Sequence, residues 1–218
     1  LLMVRRSELI VLNFTKLKES SLVLHCLSPD WGRRGFITSV GKASGTALFQ
    51  PLSILDAEVV ENPRSELWRV RGLSAKYSLN GIRSDMVKNS MTMFMSEVLY
   101  RTIHEGDTED GLYEWCRKAV LTLDALDRDY ANYHLRFLLE FAAALGFSPS
   151  VEGLAPFCGD RRKEIEALVS SDFASCMLLP LTGQARGDIA EKLLGYIEYH
   201  TGERINVRSL AVLRELYE

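Results

Sequence analysis

The sequence predicts an α+β protein with two parts, a small N-terminal β-barrel followed by an all-helical region. Five short runs rich in Val, Ile, Leu and aromatic residues fall within the first 75 residues, and apolar residues recur at helical spacing from Ser84 onward. The charge also changes sign: residues 1–77 hold 11 Lys and Arg against 7 Asp and Glu (+4), and the remainder holds 15 against 22 (−7). We therefore expect two domains, 1–77 and 78–218, with different kinds of partner.

The predicted strands are short apolar runs divided by turn-forming residues. Clusters of Gly, Pro, Ser and Asp in "SPDWG", "GKASG" and "ENPRS" predict the loops between them. In "LWRVRGL", Leu67, Arg69 and Arg71 alternate with Trp68 and Val70. Both arginines are therefore expected on the outer face if Val70 belongs to the core. The five runs are "SELIVLNF", "SSLVLHCL", "RRGFITSVG", "LFQPLSILDAEVV" and "ELWRVRGLSA".

Helical signals dominate the rest of the chain. The first helix is predicted to begin near Ser84, a residue type that caps helices, and to end at Gly106. A later helix ends at Gly146, with Pro149 soon after it. Four of the six methionines fall inside the first helix, and we interpret them as core-filling rather than as a partner surface. The helical segments are "SDMVKNSMTMFMSEVLYRTIHEGD", "GLYEWCRKAVLTLDALD", "YANYHLRFLLEFAAALG", "DIAEKLLGYIEYHTG" and "VRSLAVLRELYE".

No residue pattern predicts a catalytic site. The sequence has no GxGxxG, P-loop, HExxH or nucleophile-elbow motif, and "GKASG" lacks the strand-then-helix context of a phosphate-binding loop. The acidic run Asp124, Asp127 and Asp129 is interpreted as a solvated helix end. We expect no enzymatic activity and no cofactor. Packed or surface roles are favoured for the four histidines, which lie far apart in sequence: His25, His104, His134 and His200.

The cysteines and the apolar runs indicate the compartment. The four cysteines contain no CxxC pair, which predicts free buried thiols rather than disulfides or a zinc site. No apolar run reaches the roughly 18 residues of a membrane span. The arginines near the N-terminus lack the apolar segment of a signal peptide. We therefore expect a cytoplasmic protein.

Basic residues of the predicted barrel are the strongest candidates for a binding site. Guanidinium and ammonium groups bind a phosphate backbone, and neighbouring aromatics such as Trp31, Phe36 and Trp68 could stack on unpaired bases. The alternative is a solvated surface with buried aromatics, and composition favours neither. The basic positions are Arg5, Arg6, Lys16, Lys18, Arg33, Arg34, Lys42, Arg69, Arg71 and Lys76.

Five stretches follow one another in an order that is hard to obtain by chance. They are "IVLNFTKLKESSLVLHCLSPDWGRRGFITSVGK", "LFQPLSILDAEV", "SDMVKNSMTMFMSEVLYRTI", "LLEFAAALGFSPS" and "VRSLAVLRELYE". Together they resemble the bacterial recombination mediator RecO, in the shorter form that lacks a zinc ribbon. The resemblance spans nearly the whole chain.

The resemblance implies an N-terminal OB-fold barrel followed by a helical domain. Proteins of the RecO family bind single- and double-stranded DNA, anneal complementary strands, and act with RecR to load RecA onto DNA coated by single-strand binding protein. They also recognise the acidic, apolar C-terminal tail of that coat protein. The resemblance therefore implies a non-enzymatic role in DNA repair and recombination, and a nucleoid-associated place in the cytoplasm.

The resemblance also suggests site residues. Arg136 and Phe137 match a helix in which the arginine is associated with docking the coat-protein tail, although an intramolecular salt bridge is an equal alternative. The family's loop after the third strand usually carries several basic residues, whereas "GKASG" carries only Lys42. The implied nucleic-acid contacts are Lys16, Lys18, Arg33, Arg34, Phe36, Lys42, Arg69 and Arg71.

Two further expectations depend on departures from the family. Many relatives place a four-cysteine zinc ribbon after the "LGFSP" segment, but here only Cys158 and Cys176 follow it, so we expect no metal. The reduced basic loop leaves a rival function open. Under this alternative the chain is a protein adaptor that binds the coat-protein tail and RecR with little direct contact to DNA.

Overall fold

The computed structural model describes residues 3–18, 20–39 and 47–217 of the chain. These residues form two compact units. The first contains residues from 1–80 together with 103–120, and the second contains residues from 81–102 together with 121–218. The first unit therefore combines the N-terminal strands with a segment that comes later in the sequence.

The first unit is a closed five-stranded barrel. Its strands are β1 (Met3–Lys18), β2 (Ser21–Ser28), β3 (Gly32–Ser39), β4 (Ile54–Glu61) and β5 (Trp68–Ala75), arranged in the order β1-β2-β3-β5-β4. Neighbouring strands are antiparallel except β3 and β5, which pair in parallel through only Phe36 with Trp68 and Ile37 with Arg69. This Greek-key barrel confirms the predicted OB-fold.

The barrel core follows the alternation of side chains along the strands. Leu9, Leu24, Phe36 and Val59 are fully buried, and inward side chains from all five strands join the same cluster. On β5, Trp68 and Val70 are buried whereas Arg69 and Arg71 are exposed, as predicted. The pleat of β5 thus places two arginines on the outside of the barrel.

A polar network attaches the later segment of the first unit to the barrel. Glu8 of β1 is 2.5 Å from Lys76 Nζ, accepts a hydrogen bond from Tyr113 Oη at 3.0 Å, and lies 3.4 Å from Arg117 Nε. Burial alone would raise the pKa of Glu8, but the bonds from Lys76 and Tyr113 hold that pKa below its ordinary value. Glu8 therefore stays ionised at neutral pH and holds both the chain after β5 and the segment beyond residue 103.

The second unit is helical. The chain forms α1 (Asn80–Arg83), α2 (Met86–Thr102), α3 (Leu112–Ala125), α4 (Tyr133–Ala144), α5 (Val151–Cys158), α6 (Arg162–Ser170), α7 (Phe173–Leu178), α8 (Gly183–Thr201) and α9 (Ser209–Glu215). Side-chain caps begin α5, α7 and α8, because Ser150, Asp172 and Thr182 each accept a backbone N–H three residues later. None of the helices in the described ranges has the length and apolar character needed to cross a membrane.

The interior of the second unit contains a polar centre. Asn132 is fully buried, and its side-chain amide donates to the carbonyl oxygens of Cys176 and Leu179, each at 2.9 Å. Arg186 Nε donates to the Asn132 Oδ1 at 2.8 Å. One amide side chain thus joins the beginning of α4, the end of α7 and α8.

The methionines of α2 divide into two groups. Met91 and Met95 are fully buried, as core-filling requires. Met86 and Met93 are 70% and 43% exposed. The prediction that the methionines of this helix fill the core is therefore correct for one pair and wrong for the other, because α2 has one face on the surface.

Candidate nucleic-acid interface

A groove of about 510 Å³ lies on the barrel between the end of β3, the start of β5 and the 3₁₀ turn Ala47–Phe49. Leu48, Phe49 and Leu73 supply apolar lining, and Arg69 and Arg71 supply charge. Ser21 and Ser39, which pair with each other across β2 and β3, also line it. The groove therefore combines an apolar lining with a basic edge, a combination that suits bases and phosphates respectively.

Three exposed cations on or beside this groove have no carboxylate partner among the described residues. Arg69 lines the groove itself. Lys18 pairs in the β-ladder with Ser21, another lining residue, and Lys16 pairs with the next residue of β2. The three side chains make no hydrogen bond or ion pair with the described part of the chain. Their charges are available to phosphates.

Other cations of the barrel are neutralised. Glu58 receives both Arg71 Nε at 3.1 Å and Arg6 Nη2 at 3.7 Å. Arg5 lies 3.8 Å from Asp30 and 3.6 Å from Glu61. Lys76 contacts Glu8 and Asp56, and the hydrogen bond from Glu8 raises the pKa of Lys76. We call Arg5, Arg6, Arg71 and Lys76 the paired set, and Lys16, Lys18 and Arg69 the unpaired set.

The two arginines of "GRRG" make internal contacts. Arg33 Nη1 donates to the carbonyl oxygen of Ile103, and the backbone N–H of Gly106 donates to the Arg33 carbonyl at 2.8 Å. The Arg34 guanidinium lies 4.1 Å from the centre of the Trp68 ring, a cation–π distance. Neither arginine lines the groove. Direct contact of Arg33 and Arg34 with DNA stays a prediction.

The aromatic contacts expected for DNA need correction. Phe36 is fully buried in the barrel core, so its ring is not available to stack on bases. Trp68 is only 6% exposed and is covered by Arg34. Trp31 remains partly exposed, and its ring meets Trp68 edge to face at 5.4 Å. Lys42 and its loop lie outside the described residues.

On the second unit, Arg136 and Phe137 make different contacts from those expected. Arg136 Nε donates to Glu140 at 2.7 Å, and its Nη1 donates to the Ser171 carbonyl at 3.1 Å. The intramolecular salt bridge is therefore present. Phe137 is 2% exposed and stacks on Phe141 at 6.0 Å, so the expectation that its ring contacts a partner directly is wrong for this conformation.

The remaining titratable candidates have structural surroundings. Burial, and then Arg186, lowers the pKa of His134 to about 3, so this imidazole is neutral. Asp124 accepts a hydrogen bond from the backbone N–H of Ile82 at 2.9 Å. All four cysteines are free and buried, as predicted. In the described ranges, no group of three or more His, Cys, Asp or Glu is placed to hold a metal.

An acidic segment on β3 was not foreseen as part of the site. The backbone N–H of Gly35 donates to Glu105 Oε1 at 2.8 Å. Both glycines of "GRRG" permit this approach, because an added Cβ would lie 1.7 Å from the Asp107 carbonyl at Gly32 and 3.3 Å from Glu105 Oε1 at Gly35. The available signal was five carboxylates between residues 105 and 114, directly after a helix.

The barrel and the helical unit together define a two-part protein of the OB-fold class. Residues 83–206, more than half of the chain, match the family model described as Recombination protein O C terminal. The chain belongs to the RecO family.

Relatives from several bacteria match nearly the whole chain. A protein of Phocaeicola vulgatus named DNA repair protein RecO is 26% identical over 240 aligned positions, which cover 99% of this chain and all of that protein. A protein of the same name from Flavobacterium psychrophilum is 27% identical and covers 97% of this chain and 98% of its own length. One from Flavobacterium johnsoniae is 33% identical over 151 positions, or 67% of this chain and 63% of that protein.

Proposed function

We propose that this protein is a recombination mediator in DNA repair. It binds single- and double-stranded DNA with the barrel, anneals complementary strands, and helps RecR load RecA onto DNA coated by single-strand binding protein. It acts without a chemical step. Membership in the RecO family supports this proposal, as do the names of relatives that match the chain over nearly its full length.

The unpaired set of cations beside the groove is the observation that carries the proposal. Lys16, Lys18 and Arg69 are exposed and have no described carboxylate partner, so binding phosphates does not require an existing ion pair to break. Leu48 and Phe49 add apolar surface against which bases can pack. OB-folds bind about 4 to 16 nucleotides through such a combination of charge and packing.

Salt dependence tests the proposal. Three phosphate contacts on a single strand predict a slope of log K against log salt of about −2, which is roughly a 20-fold loss of affinity between about 50 and 200 mM salt. The measurement is fluorescence anisotropy of a labelled single-stranded oligonucleotide. An affinity that is undetectable at low salt, or one that does not change with salt, would contradict DNA binding through this surface.

We also propose that the coat-protein tail binds near Arg136. This guanidinium uses Nε and Nη1 on Glu140 and Ser171, and within the described residues Nη2 has no bond. A terminal carboxylate could accept from that nitrogen.

Substitution of Arg136 separates tail binding from DNA binding. Arg136→Gln should weaken binding of a tail peptide about tenfold or more and leave DNA binding unchanged. Arg162→Gln is the matched control, because Arg162 also forms a 2.7 Å pair with a glutamate four residues later. Equal loss of peptide binding in both variants would remove Arg136 from the site. A chain that binds the peptide but no DNA would favour the adaptor function.

A further inference from the structure

The segment 103–107 lies along the first half of β3. The parallel pairing with β5 reaches only Phe36 and Ile37, so Gly32–Gly35 receives no described partner from β5. Instead Glu105 forms an isolated parallel bridge with Arg33, and Gly106 and Ile103 exchange hydrogen bonds with Arg33. The acidic segment therefore covers the otherwise open edge of β3.

The carboxylate of Glu105 occupies a seat whose chemistry suits an anion. The Gly35 backbone N–H points at Oε1 at 2.8 Å. A Cβ on Gly35 would lie 2.6 Å from Leu67 Cδ2 and 3.9 Å from His25 Nδ1, so the missing side chain opens the seat. Burial lowers the pKa of His25, Arg33 lowers it further, and Glu105 opposes both, which shows that these three side chains interact electrostatically.

The occupant of this seat is held on an exposed segment. Glu105 and the four residues after Gly106 are exposed, and three of those four are acidic: Asp107, Glu109 and Asp110. Like charges along one short segment repel one another, and interactions of exposed carboxylates contribute little to stability. A phosphodiester carries the same charge as a carboxylate and accepts from the same donors. The seat can therefore exchange one anion for the other.

We propose that Gly35 N–H, Arg33 and His25 form a phosphate-binding site for nucleic acid on β3, which Glu105 occupies when no nucleic acid is bound. The segment 103–107 is thus an internal competitor. This proposal rests on the proposed DNA binding by the barrel. It also explains why the two arginines of "GRRG" are flanked by glycines: the glycines admit the acidic segment, and the same space admits a phosphate.

Glu105→Gln tests the proposal. The amide oxygen can still accept from Gly35 N–H, so the fold is kept, but the competing charge is lost. Because the apparent affinity is set by the fraction of molecules with an open site, the variant should bind a labelled single-stranded oligonucleotide about three- to tenfold more tightly. Its salt slope should become steeper by about 0.7, the value for one additional phosphate contact.

Glu109→Gln is the matched control, because it removes the same charge from the same segment without a side-chain contact to β3. It should change the affinity less than about twofold and leave the salt slope unchanged. Equal gains in both variants would show that the segment acts only through its overall charge and would overturn the site. An affinity of Glu105→Gln equal to that of the wild type would also overturn it.

The Gly35 amide resonance gives a second measurement. In ¹H–¹⁵N NMR spectra, oligonucleotide added to Glu105→Gln should shift this resonance more than it does in Glu109→Gln. DNA binding by all three proteins without movement of the Gly35 signal would overturn the site but leave the proposed function standing. Absence of DNA binding in all three would instead overturn the proposed function, and this inference with it.

Discussion

The two ends of β1 carry the same charge but differ in what that charge contacts. Arg5 and Arg6 lie near its start, each within 4 Å of a carboxylate. Lys16 and Lys18 lie near its end, exposed and without a described carboxylate partner. Surface charge alone therefore does not identify a nucleic-acid interface; the pairing of each cation does, because a paired cation must give up its partner before it can neutralise a phosphate.

The same difference occurs within β5. Arg69 lines the groove without a described partner, whereas Arg71, two residues further on, points to the same side and is bound by Glu58 of β4. Glu58 and Arg71 are paired residues in the β4–β5 ladder. The register of the two strands thus decides which arginine is neutralised, since cross-strand neighbours of opposite charge attract each other.

Neutralising the whole unpaired set should give the largest effect. In the triple variant Lys16→Gln, Lys18→Gln and Arg69→Gln, the loss of three phosphate contacts should weaken single-strand binding at low salt by about 30-fold or more and make it nearly independent of salt. Anisotropy titrations at several salt concentrations measure both quantities. A triple variant with wild-type affinity would place the interface elsewhere.

The paired set should instead affect stability. Glu8→Gln removes the charge that holds Lys76 and Arg117, and hydrogen bonds to charged groups contribute about 1–2 kcal/mol when partly exposed, so the free energy of unfolding should fall by about that amount at pH 7. Urea unfolding measures it. Glu66→Gln, at an exposed position that makes no described side-chain contact, is the control and should change the stability by less than about 0.5 kcal/mol.

The same substitution predicts a dependence on pH. The pKa of Glu8 is lowered in the folded state from a model value of 4.5, so its contribution is fully present above pH 4.5. It is lost as the pH falls through the lowered folded-state pKa. The stability difference between wild type and Glu8→Gln should therefore shrink below pH 4.5. A difference that stays constant down to the acid transition would contradict the network.

Arg69→Gln and Arg71→Gln compare the two arginines of one strand. Loss of Arg69 should weaken DNA binding about three- to fivefold, because it removes an available phosphate contact. Loss of Arg71 should change the affinity less than about twofold, since Glu58 already neutralises it. Equal losses in the anisotropy assay would show that pairing with Glu58 does not restrict Arg71.

The smallest expected effect is a gain. Glu58→Gln releases Arg6 and Arg71 from their shared carboxylate, and Arg71 lines the groove. DNA affinity should rise about two- to threefold, and the same charge change in Glu66→Gln should give less than half of that gain. Identical gains would mean that only the net charge of the barrel matters.

The alternation of residues predicted which β5 side chains face outward, but it could not reveal their partners. Arg69 and Arg71 look equivalent in "LWRVRGL", and only the register with β4 distinguishes them. On β3, Arg34 and Phe36 have the same parity, so the pattern did not show that the ring enters the core while the guanidinium covers Trp68. Long-range pairing, rather than local preference, decides both cases.

Helix signals were reliable where the apolar pattern was long and failed where tertiary contacts intervened. The first helix was expected to continue to Gly106 but ends at Thr102, because β3 binds the chain from Ile103 onward. The helices between Val151 and Leu178 were not predicted, since none exceeds nine residues and their apolar pattern is too short to recognise. The capping residues Ser150 and Asp172 were the available signal.

The most direct measurement compares the two ends of β1. Lys16→Gln with Lys18→Gln and Arg5→Gln with Arg6→Gln each remove two cations from the same strand. The first double variant should lower the magnitude of the salt slope for single-stranded DNA by about 1.4, and the second should leave that slope unchanged within about 0.3. Equal changes in the two slopes, or a larger change for Arg5 and Arg6, would contradict the assignment of DNA binding to the unpaired cations.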